Sequence, residues 1–407
     1  MKYTLCENVY IVNGAARSCI YDFNNNRLFS INASLAKELS RIKISGIDTE
    51  LIDAELRKAV NEMANMGILR ESEEIWNRDI SEITRGDHSL RFAWIEITQK
   101  CNLKCIHCYN ESDDNQAMLM NLTDYKMVVD LLYKLKISKI QVIGGEPFLF
   151  SKHLKVMLDY TIGKFDFIEI FTNGTLLDDE WFEYLRVNEI AIALSVYSYE
   201  AAVHDKVTGM KGSHKKTNDT IQKLKDNHIK YRVCNVLMAD VPIGDNNTDL
   251  YELSSEKDVV RMTGRANWEL LSDELIRKRL ITKKTFSKPI NKDFCGKTIT
   301  GHNCFMDKVY VAANLDVYPC VMERRIKHCN IKCLGDLVLN EDIRYMNKDH
   351  IEGCQNCEYR YACYDCRPNT LSENVMAKPW YCTYLPEKGE WLDENFFIKM
   401  LYEDNKN

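Results

Sequence analysis

The chain reads Thr98-Gln99-Lys100-Cys101-Asn102-Leu103-Lys104-Cys105-Ile106-His107-Cys108-Tyr109 directly after a β-rich run at 92–97. Three cysteines therefore share one loop at the end of a predicted strand. A structural zinc site closes four ligands around its ion, whereas three thiolates on a four-iron cluster leave one iron open for a reacting group. The loop favours such a cluster; the alternative is a zinc site completed by His107 or by a distant residue.

Short β-rich runs alternate with amphipathic helices on the C-terminal side of this loop. In the first helix Val128, Val129, Leu132 and Leu135 recur at three- and four-residue steps, and Thr123 is the expected N-cap. Repeated strand–helix units predict a parallel sheet or barrel with its chemistry at the C-terminal ends of the strands. The predicted strands lie at 92–97, 140–143, 167–171, 190–196 and 231–237.

The N-terminal part has a different pattern and predicts a compact β-then-α module. Strands are expected at 9–12, 18–22 and 27–30, followed by helices at 34–42 and 50–66. In the second helix Ile52, Leu56, Ala59 and Met63 share a face, and Gly67 suits a left-handed C-cap. By composition alone, a small packing domain is the alternative. We expect this module at 1–88, a barrel at 89–286 and a third domain at 287–407, where loops and cysteines predominate and metal is needed to hold the fold.

The chain has 407 residues, sixteen cysteines and a formal charge of -6. No stretch approaches the ~18 apolar residues of a membrane span, and the start lacks a signal peptide, so we expect a cytoplasmic protein without a membrane partner. Cytosolic thiols stay reduced, which makes metal binding the leading explanation for so many cysteines. The acidic balance argues against nucleic-acid binding, and the lysine-rich runs at 206–232 and 277–297 are interpreted as solvated faces. Cys6, Cys19 and Cys234 are expected to be small buried apolar residues.

With its C-x3-C-x2-C loop after the first barrel strand, the chain resembles the radical S-adenosylmethionine superfamily. Further motifs follow the next strands: Gly144-Gly145-Glu146-Pro147, Thr172-Asn173-Gly174 and Ser195. The resemblance implies a partial (β/α)6 TIM-type barrel with a [4Fe-4S] cluster on Cys101, Cys105 and Cys108. By the same resemblance, Gly144, Gly145 and Glu146 receive the amino group of S-adenosyl-L-methionine, and Ser195 with Asn173 contacts its ribose or carboxylate. The cofactor would yield a 5'-deoxyadenosyl radical that abstracts hydrogen from the substrate.

The C-terminal third resembles the SPASM domain, which holds auxiliary iron–sulfur clusters in peptide- and protein-modifying radical enzymes. That family's interleaved ligation implies one cluster on Cys295, Cys304, Cys320 and Cys366, and another on Cys354, Cys357, Cys363 and Cys382. The chain departs from the family pattern twice. Only Tyr364 and Asp365 separate the last two cysteines of the run, and Leu315 stands where the family has glycine. Cys329 or Cys333 could therefore replace a ligand, and a pair of zinc ribbons is the alternative.

The N-terminal segment from Asn8 to Ser18 and the ending Lys378-Pro379-Trp380-Tyr381-Cys382 are similar to the grasp-with-spasm maturases of ribosomal peptides. This resemblance implies a winged-helix-like module that binds the leader of a precursor peptide, a neighbouring ATP-grasp ligase, and a reductant such as flavodoxin or ferredoxin. The expected product is a thioether or carbon–carbon crosslink, or an epimerised residue. The alternatives are a sulfatase-type formylglycine maturase, an RNA-modifying radical enzyme and a non-catalytic cluster scaffold. The sequence does not identify a general acid or base.

Overall fold

Residues 2–32 form four strands of the N-terminal module. In this computed structural model, which describes residues 2–83, 89–256 and 258–404, β2, β3 and β4 make one antiparallel sheet, and β1 pairs with β5 and β6 in a second. The elements are β1 (Lys2–Leu5), β2 (Val9–Asn13), β3 (Arg17–Asp22), β4 (Arg27–Asn32), α1 (Ala33–Ser45), β5 (Ile47–Asp48), α2 (Ala54–Asn65) and β6 (Leu69–Glu71).

The three predicted strands and the first helix of this module are confirmed, and the second helix begins later than predicted. Helix α2 starts at Ala54 because the side chain of Asp53 accepts a hydrogen bond from the backbone N of Leu56 at 2.8 Å. Ile52 therefore precedes the helix instead of lying on its face. Gly67 has φ +76°, as the predicted left-handed cap requires. The module boundary predicted at 88 lies within residues 84–88, which are outside the described residues, so it stays a prediction.

The central sheet carries the predicted strand–helix units. In order, its strands are β11 (Tyr231–Cys234), β10 (Ala191–Ser195), β9 (Phe167–Thr172), β8 (Lys139–Gly144), β7 (Phe92–Thr98), β12 (Lys308–Val311), β13 (Asp316–Tyr318) and β14 (Cys329–Asn330). The pairs from β11 to β12 are parallel. All five predicted barrel strands are confirmed. The elements are β7 (Phe92–Thr98), α3 (Leu122–Lys134), β8 (Lys139–Gly144), α4 (Ser151–Thr161), β9 (Phe167–Thr172), α5 (Asp179–Val187), β10 (Ala191–Ser195), α6 (Ala201–Thr208), α7 (Ser213–Asp226) and β11 (Tyr231–Cys234).

Helix α3 shows how the units pack. Val128, Val129 and Leu132 are buried in the same apolar cluster as the strand residues Ile95 and Ile140. Each such burial contributes about 1.5–3 kcal/mol, which holds the helix against the sheet. The N-cap is Asn121, whose side chain accepts from the backbone N of Asp124, so the predicted cap at Thr123 is wrong by two residues.

The C-terminal region has more regular structure than the sequence predicts. Strand β12 pairs in parallel with β7 and supplies a sixth parallel strand, although it lies beyond the predicted domain boundary at 287. Its sequence, Lys308-Val309-Tyr310-Val311, is short but buried from the second residue on. The elements are α8 (Asp273–Arg279), α9 (Lys292–Thr300), β12 (Lys308–Val311), β13 (Asp316–Tyr318), β14 (Cys329–Asn330), α10 (Ile331–Leu334), α11 (Glu341–Arg344), β15 (Tyr384–Leu385), β16 (Glu390–Trp391) and α12 (Glu394–Asp404).

The turn between β12 and β13 places Leu315 in a conformation that favours glycine. Its φ is +67°, and its backbone N donates to the carbonyl of Ala312 at 2.8 Å. The side chain is buried in the barrel core. The turn geometry expected of a glycine is thus kept, and we infer that burial of the leucine offsets a backbone strain of about 1 kcal/mol or more.

The N-terminal module is joined to the C-terminal region by direct hydrogen bonds. The Tyr21 hydroxyl donates to the carbonyl of Glu358 at 3.0 Å, and the Arg360 guanidinium donates to the carbonyl of Asn13 at 2.7 Å. The backbone N of Ala15 donates to the carbonyl of Asn356 at 2.8 Å. The β2–β3 hairpin therefore lies beside the loop that carries Cys354 and Cys357. In the described part of the chain, no helix is long and apolar enough to cross a membrane.

Candidate active site

One cavity of about 220 Å³ lies at the C-terminal ends of the parallel strands, where the fold predicts the chemistry. The loops after β7, β8 and β9 and the end of β10 all contribute to its wall. The sequence-predicted residues that line it are Cys101, Cys105, Cys108, Gly144, Gly145, Asn173 and Ser195.

The cysteine loop is fixed by hydrogen bonds from distant segments. The backbone N atoms of Lys104 and Ile106 donate to the carbonyls of Thr208 and Val207, each at 3.0 Å. Arg265 is a second anchor, because its Nε donates to the Cys105 carbonyl at 2.8 Å and its Nη2 to the Ser112 carbonyl at 2.9 Å. Arg265 was missed by the sequence analysis, since an isolated arginine about 160 positions away carries no local signal.

The electrostatics of the loop thiols fit a strongly positive ligand. The pKa of Cys101 and the pKa of Cys105 are each raised to about 12, chiefly by burial. Glu146 contributes to the rise at Cys101, and the neighbouring thiols contribute at Cys105. The thiols are therefore protonated near neutral pH unless a cation replaces the protons, as a metal centre does. These residues fit the iron–sulfur cluster implied by the motif.

Gly144 and Gly145 are required by the backbone of the cysteine loop itself. A Cβ at Gly145 would lie 2.2 Å from the carbonyl O of Lys100, and one at Gly144 would lie 2.6 Å from the carbonyl O of Thr98. The backbone N of Gly145 donates to that Thr98 carbonyl at 2.8 Å. The sequence predicts that these glycines allow close approach of the cofactor. In the structure they also allow the two loops to meet without side chains between them.

The Glu146 carboxylate joins the loops after β8 and β9. Its oxygens accept from the backbone N of Phe148 at 3.0 Å, from the Thr172 hydroxyl at 2.7 Å and from the backbone N of Asn173 at 2.8 Å. Burial raises its pKa to about 7, and these three donors oppose that rise. The side chain is thus engaged within the protein, and it positions the strand ends around the cavity.

Asn173 and Ser195 also line the cavity. The Asn173 amide donates to Asn102 Oδ1 at 2.9 Å, and the same nitrogen lies 3.8 Å from Cys101 Sγ. Ser195 lies two residues before Tyr197, whose ring packs edge-on against His107 with ring centroids 4.7 Å apart. Both predicted residues are therefore within the site, and Tyr197 and His107 line it as well.

Seven of the C-terminal cysteines fall into two groups, as the interleaved assignment expects. Four line a single small cavity and interact electrostatically; we call them the Cys354 set: Cys354, Cys357, Cys363 and Cys382. Three others form the Cys304 set, in which Cys304 and Cys366 raise the pKa of Cys320 and Cys304 raises that of Cys366: Cys304, Cys320 and Cys366. The short gap before Cys366 does not prevent this grouping.

The structure does not bring Cys295 to the Cys304 set. Cys295 lies on the buried face of α9, in an apolar cluster with Cys19 and Tyr21 of the N-terminal module. Burial raises its pKa to about 12. Cys329 is buried in the barrel core and Cys333 is exposed on α10, so neither replaces it. The Tyr364 hydroxyl lies 3.1 Å from Cys304 Sγ.

Among residues 2–83, 89–256 and 258–404, no three His, Cys, Asp or Glu side chains are grouped closely enough to hold a single metal ion. A four-iron cluster has a different requirement, because each thiolate binds its own iron.

Comparison with known proteins agrees with the site. The sequence profile of the Radical SAM superfamily matches residues 95–254, which span the strands and loops described above. The chain therefore contains a radical SAM domain, and domains of this superfamily combine S-adenosylmethionine with a [4Fe-4S] cluster.

The relatives in sequence include two bacterial biosynthesis proteins. The antilisterial bacteriocin subtilosin biosynthesis protein AlbA of Bacillus subtilis is 36% identical over 143 residues, which are 35% of this chain and 32% of AlbA. The mycofactocin maturase MftC of Mycolicibacterium smegmatis is 28% identical over 138 residues, 33% of this chain and 34% of MftC. This chain thus spans about one third of the length of these relatives.

Among solved structures, Streptococcus suis SuiB shares the fold along most of both chains. SuiB bound to S-adenosylmethionine has a TM-score of 0.52 at 13% identity, and covers 92% of this chain and 98% of its own. SuiB bound to its precursor peptide SuiA has a TM-score of 0.50 at 13% identity, covering 93% and 99%. The likeness extends beyond the barrel to both flanking regions.

Proposed function

We propose that this protein is a radical S-adenosylmethionine maturase that modifies a ribosomally made precursor peptide. The observation that carries the proposal is the cavity in which three thiols, two glycines, Asn173 and Ser195 meet at the strand ends. Cys101, Cys105 and Cys108 would hold the cluster, and Gly144, Gly145, Asn173 and Ser195 would bind S-adenosylmethionine. When bound, this pair supplies a 5'-deoxyadenosyl radical that abstracts hydrogen.

The residues of the chain provide position and exclusion of water. Arg265 holds the cysteine loop, and Glu146 holds the loops after β8 and β9 in register. Tyr197 and His107 give one wall of the cavity an aromatic lining. A reactive carbon radical needs such a fixed, shielded site, because it would otherwise take hydrogen from nearby solvent or protein.

We further propose two auxiliary clusters, held by the Cys354 set and by the Cys304 set. Grouped, buried thiols with raised pKa values support both. The Cys304 set has three thiols, so its fourth ligand is Cys295 after a rearrangement or a group from outside this set. A cytoplasmic location suits these sites, since reduced thiols and intact clusters require a reducing compartment.

A peptide substrate is supported by the relatives, which include a mycofactocin maturase and a subtilosin biosynthesis protein. The N-terminal module offers two small sheets with edge strands, a form that can bind an extended leader by strand addition. Tethering the leader there raises the effective concentration of the segment to be modified. Hydrogen exchange of the full chain with a leader peptide should show new protection in residues 2–71; protection confined to the barrel would contradict this role.

The reaction is tested by incubating the reconstituted enzyme with S-adenosylmethionine, a reductant and peptides encoded beside its gene. We expect 5'-deoxyadenosine together with a modified peptide. A peptide that has lost a pair of hydrogen atoms indicates a crosslink. A peptide whose mass is unchanged after reaction in H₂O, but which takes up deuterium when the reaction is run in D₂O, indicates epimerisation. The variant with Cys101, Cys105 and Cys108 replaced by Ala is the control and should form neither product. Formation of 5'-deoxyadenosine with no change in any peptide would contradict the proposed substrate.

A further inference from the structure

A second cavity, of about 390 Å³, lies on the other side of the segment 258–261 from the main cavity. Asp258, Val260 and Arg261 line the main cavity, whereas Val259 lines the second one. A molecule in the second cavity would therefore not compete with a substrate in the barrel.

The rim of this second cavity is positively charged. Lys278, Arg279, Lys284 and Lys288 line it, and the three lysines are exposed. Lys284 and Lys288 make no ion pair with any described residue, and Lys278 pairs only with the exposed Glu274, at 3.0 Å. The charge of this rim is thus largely uncompensated and available to an acidic surface.

The carboxylate that lines this cavity does not reduce the positive charge of its rim. Asp365 is buried and forms ion pairs with Lys348 and Arg367. Its negative charge is therefore already matched inside the protein.

The wall of the second cavity includes part of the Cys304 set. Cys366 lines it beside Tyr364, whose side chain is half exposed. The Tyr364 hydroxyl lies 3.1 Å from Cys304 Sγ. Arg261, which lines the main cavity, interacts electrostatically with the Cys366 thiol. The shortened Cys363–Cys366 gap places this tyrosine between the surface and the thiols.

We propose that this lysine rim docks an acidic electron-carrier protein, which exchanges one electron with the cluster of the Cys304 set. In the reducing direction the carrier is oxidised by one electron and the cluster is reduced by one, with no bond made or broken. The position favours an electron carrier over a nucleic acid or an acidic peptide, because the charged rim surrounds a cavity lined by Cys366, which would bind the proposed cluster. The inference rests on the proposed cluster of this set, and not on a peptide substrate.

The test compares three full-length proteins, each with Cys101, Cys105 and Cys108 replaced by Ala so that the barrel loop carries no cluster. One has no further change, one carries Lys278→Glu, Lys284→Glu and Lys288→Glu, and the control carries Lys206→Glu, Lys211→Glu and Lys216→Glu in the other lysine-rich run. After anaerobic reconstitution, iron is counted and each protein is mixed with a reduced low-potential ferredoxin in a stopped-flow spectrometer. Bleaching of the cluster absorbance gives the rate, which is compared with the rate for dithionite.

We expect the Lys278 variant to be reduced by ferredoxin at least about tenfold more slowly at low salt, with the difference shrinking as salt screens the charges. The dithionite rate and the control variant should be unchanged. Equal ferredoxin rates in all three proteins would overturn the docking role. So would a Lys278 variant that dithionite reduces as much more slowly as ferredoxin does. Absence of iron at the C-terminal thiols would overturn this inference together with the proposed auxiliary clusters, whereas iron present with unaffected rates overturns this inference alone.

Discussion

The cysteines of the barrel loop and those of the C-terminal region differ in what holds them in place. The barrel loop follows a buried strand and is fixed by hydrogen bonds to Thr208, Val207 and Arg265. Apart from Cys295 on the nine-residue helix α9, the C-terminal cysteines lie in turns, in loops or in elements of four residues or fewer. We therefore expect the barrel site to be organised by its fold before any metal binds, and the C-terminal region to depend on the proposed auxiliary clusters for its order.

Metal removal should separate the two regions most strongly. After anaerobic chelation of the reconstituted protein, we expect hydrogen-exchange protection at 351–385 to fall by about 100-fold or more, with little change in β7 to β10. The reason is that the C-terminal region would be held together largely by bonds between its thiols and the metal, whereas the barrel strands are held by their apolar core. Equal loss of protection in both regions would show that they do not differ in their dependence on metal.

Gly145→Ala should damage the barrel site without removing a ligand. The new Cβ would lie 2.2 Å from the Lys100 carbonyl, so the cysteine loop and the β8 loop must separate. We expect S-adenosylmethionine affinity to fall by about 100-fold, the equivalent of about 3 kcal/mol of overpacking. Equilibrium dialysis with labelled cofactor measures it. Gly163→Ala is the control for strain away from the site: its φ is +82° and nothing lies within 4 Å of its Cβ, so alanine there should lower stability and leave the cofactor affinity unchanged.

Cys320→Ala and Cys295→Ala distinguish a proposed cluster ligand from a packed cysteine within the C-terminal region. Cys320 belongs to the Cys304 set, whereas Cys295 packs beside Cys19. Iron analysis should show a loss of about four irons for Cys320→Ala and no loss for Cys295→Ala. Equal losses from both variants would mean that Cys295 moves to the cluster as metal binds.

Glu146→Gln should change the pH dependence of stability. The pKa of Glu146 is raised by burial to about 7, so the folded protein holds this proton more tightly than the unfolded chain does. The resulting stability is complete below about pH 4.5 and is lost as the pH rises through about 7. Between pH 5 and 8 the wild-type urea midpoint should fall by the equivalent of about 2 kcal/mol more than that of the variant. Parallel midpoints across this range would show that Glu146 does not titrate there.

The sequence predicts the barrel well because each of its signals is local. Strand runs, the Cys101–Cys108 spacing and the glycine motif can each be read within a few residues. The remaining features depend on distant contacts. Arg265 clamps the cysteine loop from about 160 positions away, and α9 turns Cys295 towards the N-terminal module. β12 joins the barrel sheet across the predicted domain boundary.

At Leu315 the sequence departs from the family pattern, but the backbone keeps the conformation that the pattern predicts. A leucine stands at the position of the family's glycine, yet it keeps the left-handed φ of +67°. Its burial in the barrel core explains how that conformation is tolerated. Departure from a motif therefore did not signal a change of fold here.

The presence of three clusters is tested most directly by counting iron and sulfide per chain in protein reconstituted without oxygen, for the wild type and for the Cys101, Cys105 and Cys108 to Ala variant. Three clusters predict about twelve irons in the wild type and about eight in the variant. About two zinc ions with little iron in the wild type would contradict the radical mechanism and leave a zinc-stabilised binding protein.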